Sequence, residues 1–139
     1  MKRVFIIHGW GGNSDELWLK WLKQELEKKG FEATNLEMPD TWHPKISEWV
    51  NKLNESVGNA DEDTYFVGHS LGCIAIVRYL TALPKGVIVG GSVLVAGFSG
   101  DIGIAEISEF YTQPVEVEKA RNYCKNVVII HSEDDEDVP

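Results

Sequence analysis

The 139-residue sequence contains only two cysteines, Cys73 and Cys124, and neither belongs to a Cys-x-x-Cys spacing. This scarcity excludes a disulfide framework and a cysteine-based zinc site, and it fits buried thiols in a reducing cytoplasm. Basic side chains are outnumbered by acidic ones, 13 against 22, which gives a formal net charge of −9. That balance argues against nucleic acid and anionic membranes as partners. The longest apolar stretch, Gly86 to Phe98, is too short and too interrupted to span a bilayer.

The length fits one domain over residues 1–139, built from apolar β-branched segments that alternate with amphipathic ones. We predict strands over Val4–Ile7, Phe31–Met38, Thr64–Val67, Gly86–Ala96 and Val127–Ile130. We predict helices over Leu17–Lys29, from Ile46 to near Gly58, over Leu71–Leu83, and as one or two short segments within 104–123. In the first helix, the expected buried face consists of Trp18, Leu19, Trp21, Leu22 and Leu26. This alternation predicts an α/β fold with a parallel sheet in the order 2-1-3-4-5 and functional loops at the carboxyl ends of its strands.

The third predicted strand is followed by Gly68-His69-Ser70-Leu71-Gly72, a Gly-x-Ser-x-Gly motif that opens a helix. A strand, a sharp turn and a helix are the context that a nucleophile elbow requires. The flanking glycines allow the sharp turn, and the start of the helix favours an oxyanion beside the serine. The alternative is that Ser70 only caps the helix.

The first predicted strand ends at His8-Gly9-Trp10-Gly11-Gly12. In a hydrolase with an elbow, one oxyanion donor is the N–H after the nucleophile, here that of Leu71, and the other comes from a loop after an earlier strand. Trp10 is the natural candidate for the second donor. The alternatives are a plain turn and a phosphate loop, but the spacing matches neither common phosphate-binding motif.

An acidic segment follows the fifth predicted strand and offers a carboxylate that could orient a catalytic base. Asp134 and Asp135 are the candidates, because hydrolases of this type have the chain order Ser, then Asp or Glu, then His. Such a run of acidic residues is also typical of a solvated loop, and a metal site with His131 lacks a defined spacing.

No histidine follows the acidic segment; the sequence has only His8, His43, His69 and His131. We expect His8 to pack under the loop after the first strand, His69 to point away from Ser70, and His131 to be a strand-end or core residue. His43 stands beside Pro44 without an evident partner. None of the four fits the chain order of a catalytic base.

Together these motifs resemble the small single-domain α/β-hydrolases that are similar to retinoblastoma-binding protein 9 and to bacterial YdeN-type proteins. The residues that carry the resemblance span the chain: His8-Gly9-Trp10, Trp18-x-x-Trp21-Leu22, Met38-Pro39, Trp49, Gly68-His69-Ser70-Leu71-Gly72-Cys73, Val95-Ala96-Gly97-Phe98, and His131 to Pro139. The resemblance implies a serine hydrolase for small esters, thioesters or amides, without a lid domain. It implies Ser70 as the nucleophile and Asp135 as the acid, because the family's acid stands four places before the proline of an Asp-x-x-Val-Pro turn; Asp134 is the rival.

Members of that family continue beyond this proline, through a helix and a sixth strand, to their catalytic histidine. We therefore expect the given chain to be truncated, to lack the sixth strand and to be nearly inactive. The alternative is a protein-interaction module that keeps the fold without the chemistry. We expect Trp10 and Phe98, with Trp42, to line an apolar substrate pocket, and we expect no cofactor and no metal ion. Strand 127–130 would then be a sheet edge open to a protein partner or to self-association.

Overall fold

The computed structural model describes residues 1–9, 17–95 and 116–130. Its strands are β1 (Arg3–Ile7), β2 (Glu32–Leu36), β3 (Thr64–His69), β4 (Gly91–Val95) and β5 (Val127–Ile130). Its helices are α1 (Leu17–Lys28), α2 (Ile46–Val57), α3 (Leu71–Thr81) and α4 (Val117–Ala120), and a 3-10 turn covers Arg121–Tyr123. The strands form a parallel sheet in the order β2-β1-β3-β4-β5, which confirms the predicted topology.

Strand β4 is shorter than the predicted strand over Gly86–Ala96. Gly86 has a φ of 93°, a left-handed conformation that breaks an extended segment. Val89 then makes only an isolated bridge with Cys124 before the ladder begins at Gly91. The apolar run after Gly86 is therefore part turn and part strand. Residues 104–115 of the region predicted to hold one or two short helices lie outside the described residues.

The sheet register brings the carboxyl ends of its central strands to one edge. Ile7 at the end of β1 pairs with Gly68 of β3, and His69 at the end of β3 pairs with Val95 at the end of β4. Segments that leave these three strands therefore start close together. This is the rim on which the sequence places its candidate residues.

Helices α2, α3 and α4 cover one face of the sheet, and α1 covers part of the other. Helix α2 presents Trp49, Leu53 and Val57 to the larger core, a spacing of four residues that keeps them on one side. In α1, Leu19 is buried as predicted, but Trp21 is 59% exposed, so its place in the predicted apolar face is wrong. None of the described helices is long and apolar enough to cross a membrane.

Candidate active site

Ser70 lies in the turn between the end of β3 and the start of α3, where the sequence predicts a nucleophile elbow. Its backbone has φ 52° and ψ −117°, a region that residues with side chains occupy rarely, at a cost of about 1–3 kcal/mol. Among the described residues, the only other non-glycine residue with a positive φ is Asp40. The backbone geometry expected for the elbow is therefore present at this serine.

The Ser70 hydroxyl does not cap α3. Ser70 occupies the N-cap position, where a serine oxygen commonly accepts a main-chain N–H from the first turn, but it makes no such bond here. The turn is closed by the main chain instead. The Ser70 N–H donates to the Val95 carbonyl at 2.9 Å, and the Cys73 N–H donates to the Ser70 carbonyl at 2.9 Å. The interpretation of Ser70 as a capping residue is therefore wrong.

Cys73 links the strands that flank this turn. Its buried thiol lies 3.3 Å from the Gly68 carbonyl and 3.5 Å from the Val95 carbonyl, so it can donate to the end of either β3 or β4. Burial raises the pKa of the Cys73 thiol from 9.0 to about 12. The thiol is therefore a neutral donor that supports the elbow, and it is not a nucleophile at ordinary pH.

The two glycines of the motif allow α3 to approach the sheet closely. A Cβ at Gly72 would lie 2.5 Å from the Ile7 oxygen and 2.8 Å from the His8 oxygen. A Cβ at Gly68 would lie 3.0 Å from the Cys73 nitrogen. Both contacts at Gly72 are with main-chain atoms, which cannot move aside as a flexible side chain can. The nearest atom at Gly68 is the Cδ1 of Ile76, at 2.7 Å, so packing requires glycine most strictly at Gly72.

Residues 4–139, nearly the whole chain, match the profile of a protein family described as "Serine hydrolase". The chain belongs to the serine hydrolase family. It is 36% identical to YdeN of Bacillus subtilis (strain 168) over 139 residues, which cover 99% of this chain and 73% of YdeN. It is 28% identical to the serine hydrolase RBBP9 of Rattus norvegicus over 142 residues, which cover 99% of this chain and 74% of RBBP9.

The solved structure of the B. subtilis ydeN gene product has the same architecture. It matches 100% of this chain and 75% of its own length, with a TM-score of 0.94 and 36% sequence identity. The predicted resemblance and the α/β-hydrolase fold are both confirmed. The Gly68–Gly72 motif therefore lies in a chain that has the family and the fold predicted from it.

His8 is buried, with 0% of its surface exposed. Its Nδ1 lies 3.0 Å from the Gly9 oxygen, and its Nε2 accepts the Met38 N–H at 3.0 Å. The ring also meets Trp49 edge-on, with 5.7 Å between ring centroids. Because both nitrogens are engaged inside the protein, His8 is unsuited to accept a proton from Ser70. The side chain is buried, but the prediction that it packs under the loop after β1 concerns residues outside the described ranges and stays a prediction.

His69 lies on the α1 side of the sheet, where its ring meets Trp18 edge-on at 5.4 Å between centroids. Its Nδ1 is buried and has no hydrogen-bond partner among the described residues. A Cβ placed on Gly9 would be 3.2 Å from the Ser70 Cβ and 3.6 Å from the His69 Nδ1. Gly9 therefore lies against both the serine and the histidine, and any larger residue there would crowd the elbow.

His43 belongs to the turn that follows β2. It is exposed, and its Nδ1 lies 3.8 Å from a carboxylate oxygen of Asp40, close enough for a weak surface ion pair when the ring is protonated. Trp42 beside it is 57% exposed. The histidine that looked partnerless in the sequence thus has a local carboxylate neighbour.

Several predicted site residues lie outside the described residues. They are Trp10, Phe98, His131, Asp134 and Asp135. Their roles therefore remain predictions, as does the role of the Leu71 N–H as an oxyanion donor. Leu71 itself is the first residue of α3, so its N–H is one of the four that find no partner within the helix.

Two contributors to the site were missed by the sequence reasoning. The Cys73 thiol reaches the carbonyl of Val95, 22 positions away, and the His8 ring accepts from Met38, 30 positions away. Both contacts arise from the pairing of strands that are distant in sequence, so no local spacing signals them. The adjacency of Cys73 to the motif was the only available hint.

Proposed function

We propose that this serine hydrolase cleaves small esters, thioesters or amides through an acyl-enzyme on Ser70. The observation that carries the proposal is the backbone of Ser70, held at φ 52° with a hydroxyl that does not cap its helix. A backbone conformation that costs stability, at a serine whose hydroxyl does not cap the helix, is typical of a residue kept for chemistry. Membership of the serine hydrolase family supports the same role.

In the proposed reaction, the Ser70 Oγ attacks the substrate carbonyl while a base takes its proton. The N–H groups of Leu71 and Trp10 stabilise the tetrahedral oxyanion. Collapse of this intermediate expels the alcohol, thiol or amine, which takes the proton back from the base, and water then releases the acid. Trp10 and Phe98 contact the acyl group in this proposal.

The proposed triad acid is Asp135, with Asp134 as its rival, and its partner is a histidine that is not among the four in this sequence. The burial and the two hydrogen bonds of the His8 ring support this view, because they exclude the histidine at the end of β1 as a base. Without a base, serine hydrolases lose several orders of magnitude in rate. We therefore propose that the 139-residue chain turns over esters only slightly above buffer.

A fluorophosphonate probe tests the nucleophile without requiring turnover. The Ser70 oxygen forms a bond to phosphorus as fluoride leaves, and intact-mass measurement with peptide mapping locates the adduct. We expect a single adduct at Ser70, no adduct in Ser70→Ala and parent-like labelling in Ser56→Ala, a control on α2. Labelling of Ser70→Ala at the parent rate, or a parent adduct that maps to another serine and not to Ser70, would overturn the assignment.

The pH dependence of the same labelling tests the missing base. Without a histidine, the rate should rise about tenfold per pH unit between about pH 6 and about pH 9, because hydroxide then removes the proton. A plateau with an apparent pKa near 7 would show that one of the four histidines serves as the base, and would overturn the proposal of an absent base.

The rival function is a protein-interaction module. One observation favours it: Val128, Ile129 and Ile130 on β5 are 51%, 51% and 52% exposed, an apolar sheet edge that another chain could pair with. This is also the surface for the proposed self-association.

We further propose a single domain without a lid, in the cytoplasm, where two buried free thiols stay reduced.

A further inference from the structure

The His8 side chain holds one particular carbonyl of the loop that leads to Trp10. Its Nδ1 lies 3.0 Å from the oxygen of Gly9. A carbonyl oxygen only accepts hydrogen bonds, so Nδ1 must carry the proton. The other ring nitrogen, Nε2, accepts the Met38 N–H at 3.0 Å and therefore carries none. The two bonds together fix a neutral ring with its proton on Nδ1.

The surroundings of the ring prevent it from turning. His8 and Trp49 are both 0% exposed, and their rings meet edge-on at 5.7 Å between centroids. Trp49 is itself anchored, because its indole N–H donates to the Pro39 carbonyl at 2.9 Å. Contacts from the ends of β1 and β2 and from α2 thus hold the imidazole in one orientation. The imidazole in turn holds the Gly9 carbonyl.

The Gly9 carbonyl belongs to the same peptide unit as the Trp10 N–H. That unit is planar, and in its trans form the N–H points opposite to the C=O. A group that fixes the direction of the Gly9 oxygen therefore also fixes the direction of the next N–H. Because Gly9 itself lies against Ser70, the peptide unit that His8 orients starts beside the nucleophile.

We infer that His8 is a positioning residue for the oxyanion site. As the neutral tautomer protonated on Nδ1, it holds the Gly9 carbonyl so that the Trp10 N–H faces the oxygen that becomes negative when Ser70 reacts. This inference rests on the proposed function of Ser70. A flipped peptide would present a carbonyl oxygen to the oxyanion instead of a donor, which would repel the charge it should stabilise.

Two substitutions separate the two ring contacts. The amide nitrogen of Asn stands close to the place of Nδ1, so His8→Asn keeps the donor to Gly9 and loses the acceptor for Met38. The amide oxygen of Gln stands close to the place of Nε2, so His8→Gln keeps the acceptor and loses the donor. If His8 mattered only for packing, the two variants would label Ser70 at similar rates. Their free energies of unfolding are measured as well, so that a loss of stability is not mistaken for a loss of reactivity.

The readout is the rate of Ser70 labelling by a fluorophosphonate, resolved into a maximal rate and a half-saturating probe concentration. We expect His8→Asn to stay within about threefold of the parent maximal rate. We expect His8→Gln to lose about 100-fold in that rate, as removal of an oxyanion donor does, with a half-saturating concentration within about threefold of the parent. Equal rates for the two variants would overturn the inference.

The tautomer provides a readout that does not depend on reactivity. Long-range ¹H–¹⁵N correlations of the His8 ring in the folded chain should show a protonated Nδ1 and an unprotonated Nε2. A proton on Nε2, or on both nitrogens at neutral pH, would overturn the inference even if Ser70 is the nucleophile. If Ser70→Ala labels like the parent, the proposed function fails instead, so the two failures can be told apart.

Discussion

Strand β3 lies between β1 and β4 and ends at the Ser70 turn, whereas β5 pairs only with β4 within the described part of the chain. Around the turn, nine of the eleven residues of α3 are buried. On β5, by contrast, three of four residues are more than half exposed. The backbone of Ser70 is therefore held by several strands, whereas the described residues of β5 are held by one neighbouring strand.

The restraints at the centre come from three strand ends. The Val95 carbonyl of β4 accepts the Ser70 N–H. The carbonyls of Ile7, at the end of β1, and of His8, just after it, lie close to Gly72. The Cys73 thiol lies within hydrogen-bond distance of carbonyls of β3 and β4. No single contact defines the turn. The comparison predicts large effects for substitutions at the centre and small ones at the edge.

Gly72→Ala should have the largest effect. The new Cβ would stand 2.5 Å from the Ile7 oxygen, so α3 must move away from β1 or the strand end must shift. We expect the free energy of unfolding to fall by at least about 3 kcal/mol, as in severe overpacking of a core. Urea denaturation followed by circular dichroism measures it.

Gly30→Ala is the matched control for Gly72→Ala. Gly30 has a φ of 91° but has nothing within 4 Å of a new Cβ, so only backbone strain is introduced there. We expect a loss of about 1 kcal/mol. Equal losses for the two variants would contradict the view that Gly72 is required by its neighbours.

Cys73→Ala should change how stability depends on alkaline pH. Burial raises the pKa of the Cys73 thiol to about 12, while the unfolded chain ionises near 9.0. The unfolded state therefore loses its proton first, and stability falls as pH rises from about 9 to about 12. Between about pH 8 and about pH 10.5 this group accounts for about 2 kcal/mol of the fall.

The alanine variant should show a shallower alkaline fall, without becoming flat. Burial also raises the pKa values of Cys124 and Tyr79, and both remain in the variant. Urea midpoints of both proteins at the two pH values measure the difference. If the free energy of unfolding of Cys73→Ala falls with pH as steeply as that of the parent, the Cys73 thiol is not buried as described.

Val128→Lys should have the smallest effect on stability, below about 0.5 kcal/mol, because the side chain is already 51% exposed. A lysine on an edge strand opposes pairing with another chain. We expect the parent to associate at high concentration and this variant to stay monomeric, by light scattering. Ile88→Lys, at an apolar residue that is 41% exposed and precedes β4, should associate like the parent. A parent that stays monomeric throughout would contradict the edge proposal.

The sequence predicts the fold well where the signals are local and strong. Val127–Ile130 has the predicted bounds, and Ser70 has the predicted backbone, because apolar runs and the glycine spacing act over a few residues. β4 is shorter than predicted, since the left-handed turn at Gly86 interrupts an apolar run that looks continuous. The partners of His8 lie beyond local patterns, because Met38 and Trp49 reach it only once the sheet has formed.

Ser70→Gly tests most directly whether Ser70 is held in a strained conformation at the centre of the sheet. Glycine adopts φ 52° with far less strain, so the free energy of unfolding should rise by about 1 kcal/mol, the strain relieved less the extra freedom of the unfolded chain. Ser70→Ala keeps a Cβ, and its stability should stay within about 0.5 kcal/mol of the parent. Urea denaturation of the three proteins measures both changes. If Ser70→Gly is less stable than Ser70→Ala, the claim that the backbone of Ser70 is strained is wrong.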